Sequence, residues 1–86
     1  MNIKWYNSAV DELTDIVIQL EKISQPYYAK RLERKILAKI KRISRGNVGF
    51  GAFTIDMCKV DYRITDKDLR VLRISLLRPI GVKFIP

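Results

Sequence analysis

Apolar residues follow two different periods along this chain. Ala9, Val10, Leu13, Ile16, Val17, Leu20 and Ile23 keep the three-and-four spacing of an amphipathic helix. Asn7 and Ser8 offer a cap before it, with Asp11 three residues after Ser8 as in the short-acid form of a capping box. Asp11, Glu12 and Asp15 crowd its early turns, where the helix dipole favours negative charge. Gln25 precedes Pro26 and is pushed out of helical geometry, so the helix should end near Ile23 or Ser24. Pro26 then suits the first turn of a second helix, in which Ala29, Leu32, Ile36, Ile40 and Ile43 form one stripe. So short a connection predicts an antiparallel helix hairpin.

On either side of the helices the pattern is that of strands. Residues 2 to 6, with Ile3, Trp5 and Tyr6, predict a short edge strand. Gly46, Gly49 and Gly51 mark a loop and the loose start of the next strand, and Phe50 to Asp56, Met57 to Thr65 and Leu69 to Leu77 predict three sequential strands. A three-residue turn, Asp66-Lys67-Asp68, sets Tyr62 opposite Leu72, Val60 opposite Ile74 and Cys58 opposite Leu76, making one side of the last ribbon apolar. Its other side pairs Asp61 with Arg73 and Lys59 with Ser75. A two-residue turn slips the register by one and puts Arg73 opposite Val60, so the pattern favours the longer turn. Arg70 then lies at the turn. The order β-α-α-β-β-β predicts an α+β fold: one domain over 1–86, a helix hairpin packed on a mostly antiparallel four-stranded sheet.

Charge sharpens this picture. Seventeen Lys and Arg stand against nine Asp and Glu, a net charge of +8. The second helix interleaves its stripe with Lys30, Arg31, Arg34, Lys35, Lys39, Lys41, Arg42 and Arg45, with Glu33 too isolated to neutralise them. A coat of this kind is ordinarily a solvated face. It also suits a polyanionic or acidic partner, and charge by itself does not separate RNA, DNA and an acidic protein.

Chemistry based on histidine or on a Cys/His metal set is excluded, because the chain has no histidine and a single cysteine. No cofactor is expected. Cys58 falls on the apolar side and is expected to be a small buried hydrophobe, as Tyr62 and Trp5 are expected to be core aromatics. Asp61 and Arg73 are expected to form an exposed cross-strand ion pair. No apolar run approaches the ~18 residues of a membrane span, and polar residues interrupt the first seven positions, unlike a signal peptide. The expected location is the cytoplasm, without membrane contact.

The opening "IKWYNSAVDEL", the helix pair with "YYAKRLERKILAKIKRI" and the hairpin "KVDYRITDKDLRVLRISLLR" together resemble the RelE/ParE superfamily of toxins from bacterial type II toxin–antitoxin pairs. The resemblance spans nearly the whole chain. It implies a βααβββ fold and a growth-arresting protein held inactive by a cognate antitoxin. In its ribosome-dependent ribonuclease members, mRNA is cut by basic and tyrosine side chains on the open sheet face. Lys59 and Arg78 match two family cations there and would be the catalytic pair of a ribonuclease. Lys59 stands where Arg is common, "FGAFTID" carries no base, and Phe84 stands where a terminal Tyr or His is frequent.

The resemblance therefore leans toward the ParE branch, which acts on DNA gyrase without ribonuclease chemistry. The ribosome and mRNA are the alternative target, and a non-toxic basic nucleic-acid-binding module is the alternative of another class. Candidate target or nucleic-acid contacts are Arg63 and Arg73 on the hairpin, with Lys41, Arg42 and Arg45 on the second helix.

Overall fold

The computed structural model describes residues 1–23, 25–46 and 50–77. In chain order the elements are β1 (Asn2–Trp5), α1 (Asn7–Lys22), α2 (Pro26–Ile43), β2 (Phe50–Ile55), β3 (Cys58–Thr65) and β4 (Asp68–Leu76). The four strands form one mixed sheet in the order β1-β4-β3-β2. β1 lies parallel to β4 at one edge, and the two hairpins are antiparallel. The helix hairpin covers one face, giving the α+β layering expected from the sequence.

The start of α1 is set by tertiary contact. Tyr6, in extended conformation, is its N-cap, and no side chain caps the helix. Its N–H donates to the Val71 carbonyl at 3.1 Å, which completes the pairing of the chain with β4. Its own carbonyl accepts from the N–H groups of Ala9 and Val10. Asn7 and Ser8, expected to cap, lie inside the helix, and the first turn holds no acidic residue. α2 begins at Pro26 as expected.

Ala9, Leu13, Ile16 and Leu20 of α1 and Ala29, Leu32, Ile36 and Ile40 of α2 are buried against the sheet. Across from them lie Cys58, Val60 and Tyr62 of β3 and Leu69, Val71 and Ile74 of β4. Each fully buried Leu, Ile or Val contributes about 1.5–3 kcal/mol of transfer free energy. Val10, placed by its spacing on the helical stripe, is exposed instead.

The hairpin of β3 and β4 corrects the expected register in one half and keeps it in the other. At the base, Cys58 pairs with Leu76, Lys59 with Ser75, Val60 with Ile74 and Asp61 with Arg73. Between Asp61 and Tyr62 the register shifts, so Tyr62 faces Val71 instead of Leu72, and Arg63 faces Arg70. Leu72 is the additional residue of a β-bulge. The turn has two residues, Asp66 and Lys67, with Asp66 at φ 50, a region that Asp tolerates better than most residues. The physical reason lies in β4 itself. Its inward positions run Leu69, Val71 and then Ile74, and only an inserted residue lets both phases face the helices.

Candidate functional site

With the helices on one face, alternate strand residues look out from the other. Lys59, Asp61 and Arg63 of β3, Arg70, Arg73 and Ser75 of β4, Lys4 of β1, and Ala52 and Thr54 of β2 share this open face through their register. Lys59 and Arg73 are exposed while Val60 and Ile74 are buried. The cationic side of the hairpin is thus the free side.

Charge is distributed unevenly over it. Near the Asp56-Met57 turn, Lys59 Nζ lies 3.8 Å from Asp61 Oδ1, and Arg73 Nε lies 3.8 Å from Glu12 Oε2. Two cations meet two carboxylates there. The expected Asp61–Arg73 ion pair does not form: the two face each other in register, but each carboxylate and guanidinium has another partner. Glu12 reaches Arg73 because β1 ends at Trp5 and leaves the edge of β4 open beyond Val71. Nearer the Asp66-Lys67 turn, Lys4 Nζ and Arg70 Nη2 lie 3.4 and 3.9 Å from the same oxygen, Asp68 Oδ2. Arg63 has no ion-pair partner among the described residues. Exposed pairs of this kind contribute about 0–1 kcal/mol each.

The candidate residues from the sequence divide between two surfaces. Lys59, Arg63 and Arg73 share the open sheet face. Lys41, Arg42 and Arg45 are exposed at the end of α2, on the layer across the core. A flat contact cannot engage both groups. Arg78 lies outside the described residues, as do "RPIGVKFIP" and Phe84. Sequence reasoning did not select Lys4, Arg70 or Glu12. Alternation of Lys4 with Ile3 and Trp5 was the available signal for the first. Arg70 was misplaced by the turn length, and the role of Glu12 has no local signature.

Between β1 and α2 runs a largely apolar groove, a cavity of about 490 Å³ lined by Ile3, Trp5, Leu37, Ala38 and Ile40 with Arg34 and Lys41 at its polar margin. Trp5 and Leu37 also line an adjoining recess of about 290 Å³ with Val10 and Thr14. Leu37 is 42% exposed and Val10 44%. On the opposite flank of α2, Lys35 Nζ lies 3.6 Å from Asp56 Oδ2, beside a recess containing Lys39 and Arg42.

Two groups, Cys58 of β3 and Tyr28 of α2, are shifted, and both move away from neutrality. Burial pushes the Cys58 thiol up to about 11, and the nearby Asp56 carboxylate acts in the same direction. Burial, followed by the Asp56 charge, also raises Tyr28. Both groups stay protonated at neutral pH, which fits Cys58 as a core hydrophobe. Tyr62 is buried too, with its ring 6.2 Å from that of Phe53.

No model of a protein family matches the chain, and no curated protein sequence does. Among solved structures, the chain is similar to one described as "Chromosomal ParDE TA system from P. aeruginosa", with a TM-score of 0.73. The match covers 91% of this chain and 97% of that chain at 20% sequence identity. The two share a fold over almost their full lengths.

Proposed function

We propose that this protein is the toxin of a type II toxin–antitoxin system, arresting growth until a cognate antitoxin binds it. The observation that carries this reading is the fold match with a chain of a ParDE system, over 91% of this chain and 97% of that one. The apolar groove at Trp5 and Leu37 supports a protein partner, since the centre of a stable interface is apolar and its rim polar. Arg34 and Lys41 at the margin suit acidic residues of an antitoxin segment laid along β1 and α2.

Within this reading the action is gyrase-directed and not ribonucleolytic. Cleavage at a phosphodiester needs groups that move protons to and from oxygen near neutral pH. The chain has no histidine, the shifted Cys58 and Tyr28 move away from neutrality, and Lys59 is engaged by Asp61. Ribosome-dependent mRNA cleavage is the second reading, favoured by the exposure of Lys59, Arg63 and Arg73 on one open face, with Lys59 and Arg78 as its catalytic pair. A non-toxic nucleic-acid-binding module is the third, favoured by the cations of α2.

Induction of the chain alone, and together with the product of the adjoining reading frame, tests the proposal. Arrest relieved by the neighbour supports a toxin, and harmless expression removes that reading. Mapping of DNA breaks and of mRNA 5′ ends separates the mechanisms. Codon-associated cuts that vanish in Arg78→Ala would establish the ribonuclease in place of gyrase action.

A further inference from the structure

Tyr27, at the start of α2, is 80% exposed, the most of the large apolar side chains among the described residues. Lys30, Arg31 and Arg34 follow it at steps of three, four and seven, so the four share one outward stripe of the helix. They line a recess of about 120 Å³. Cations so spaced repel one another: Lys30 and Arg34 are four apart, Arg31 and Arg34 three, and like charges at such steps weaken a helix. No carboxylate offsets them. The first turn of α2 holds no acidic residue, and none of the three cations has an ion-pair partner among the described residues. Glu33 lies on another flank, at the recess shared with Trp5 and Thr14. Asp56, beside Tyr28, is engaged by Lys35 at 3.6 Å. On a merely solvated face such cations would spread apart; here they converge on one recess, with a bare aromatic ring at its border.

We propose that Tyr27, Lys30, Arg31 and Arg34 form a binding site for a nucleoside diphosphate, its phosphates in the recess and its base on the Tyr27 ring. The two guanidinium groups match the geometry of phosphate oxygens, and Lys30 adds a point charge. The recess is far smaller than the about 300–1,000 Å³ of sites that enclose a whole small molecule, so it takes the phosphates and leaves the base outside. There the exposed ring offers a flat apolar surface for stacking. A nucleic-acid strand fits less well, because its phosphates are separated by sugars and call for a groove that tracks the backbone. An acidic protein segment would call for an apolar centre, which lies in the Trp5 groove and not among these side chains. The assignment goes beyond the toxin reading and does not rest on it.

Isothermal titration calorimetry of the full chain with ADP and with inorganic pyrophosphate tests the site, at about 0.15 M salt so that distant charges are screened. The variants are Tyr27→Ala, K30Q/R31Q and a control, K41Q/R42Q, which removes the same charge about 15 Å further along the helix. All the substituted positions are exposed and Gln is a good helix former, so the variants should keep the fold; thermal melts confirm it. Arg34 is left intact because it also borders the Trp5 groove. ADP is expected to bind saturably and more tightly than pyrophosphate. K30Q/R31Q should weaken both ligands by about tenfold or more, as loss of charged hydrogen bonds does. Tyr27→Ala should weaken ADP by about fivefold or more, the size of a lost base stack, and leave pyrophosphate unchanged. No saturable ADP binding at millimolar concentration would overturn the site, as would equal losses in K30Q/R31Q and the control. Pyrophosphate binding as tightly as ADP, or ADP affinity unmoved in Tyr27→Ala, would overturn the nucleotide assignment.

Discussion

The Glu12 carboxylate accepts a hydrogen bond from the backbone N–H of Ile74 at 2.8 Å, across 62 positions of sequence. β1 is too short to pair with this part of β4, so a side chain from the helix layer takes the place of a strand carbonyl. The same carboxylate holds Arg73 through its other oxygen. Ile74 is a core residue, and an unpaired N–H at its position would be poorly solvated. Glu12→Ala is expected to destabilise the fold by about 1–3 kcal/mol, the range for orphaning a buried donor. Glu12→Gln retains an acceptor oxygen and should cost less. Urea unfolding of the two variants checks the order, and equal losses would refute this role for the carboxylate.

The bulge at Leu72 reconciles two registers that the apolar pattern presents as alternatives. Deleting Leu72 removes the residue without a partner and leaves Val71 opposite Tyr62, Arg73 opposite Asp61 and Ile74 opposite Val60. Plain alternation then keeps Ile74 under the helices and Arg73 on the open face. The deletion variant is expected to keep a cooperative thermal transition. Loss of that transition would mean that the bulge itself, through the twist it adds to the hairpin, is needed by the fold.

Legibility from sequence followed the range of the interaction. The helices, the strand order along the chain and the apolar face of β3 rest on local periodicity, and all were readable from residues such as Leu32, Ile36, Val60 and Tyr62. The parallel placement of β1 on β4, the Tyr6 cap and the Glu12 bond depend on contacts between distant segments, which leave no periodic trace. On the open face, alternation marked Lys59, Arg63 and Arg73 correctly. Arg70 was missed because a turn shorter by one residue moves it from the tip into the sheet. The ion-pair partners of Arg73 and Asp61 were missed because Glu12 arrives from another layer.

Arg63 and Arg70 face each other with like charge, so relieving the pair should stabilise the protein. Arg63→Thr introduces a β-branched residue and removes one cation. A gain of about 0.2–1 kcal/mol is expected at low salt, the usual size of a cross-strand pair effect. The gain should shrink as salt screens the wild-type repulsion. Thermal melts in low and high salt measure both. A loss of stability at low salt would show that Arg63 is held by favourable contacts.

Cys58 connects stability to alkaline pH. Its thiol is raised from 9.0 to about 11 in the folded protein, so the unfolded chain loses its proton first as pH rises. Below about 9 both states are protonated and the group has no effect on the pH slope. Between 9.0 and about 11 the unfolded state binds fewer protons, and stability falls with pH. Tyr28, raised from 10.0, adds a decline of the same sign at higher pH. Cys58→Ala is expected to lower stability at pH 7 through lost packing and to flatten its decline between pH 9 and 11. Urea midpoints across that range test this, and an undiminished slope in the variant would assign the decline to other groups.

Leu37 separates binding of a protein partner from the integrity of the fold. It lines both the main groove and its adjoining recess, yet stays 42% exposed, so a carboxylate there remains hydrated in the free protein. Leu37→Glu should therefore change stability by less than about 0.5 kcal/mol, as surface substitutions do. In a complex the same carboxylate would be buried against apolar atoms, and any acidic residues of the partner would repel it. If the groove seats the antitoxin, the variant should still arrest growth but no longer be rescued by co-expressed antitoxin, and the complex should fail to form in size-exclusion chromatography. Rescue equal to that of the wild type would place the antitoxin elsewhere, whereas loss of arrest without antitoxin would assign Leu37 to the target contact.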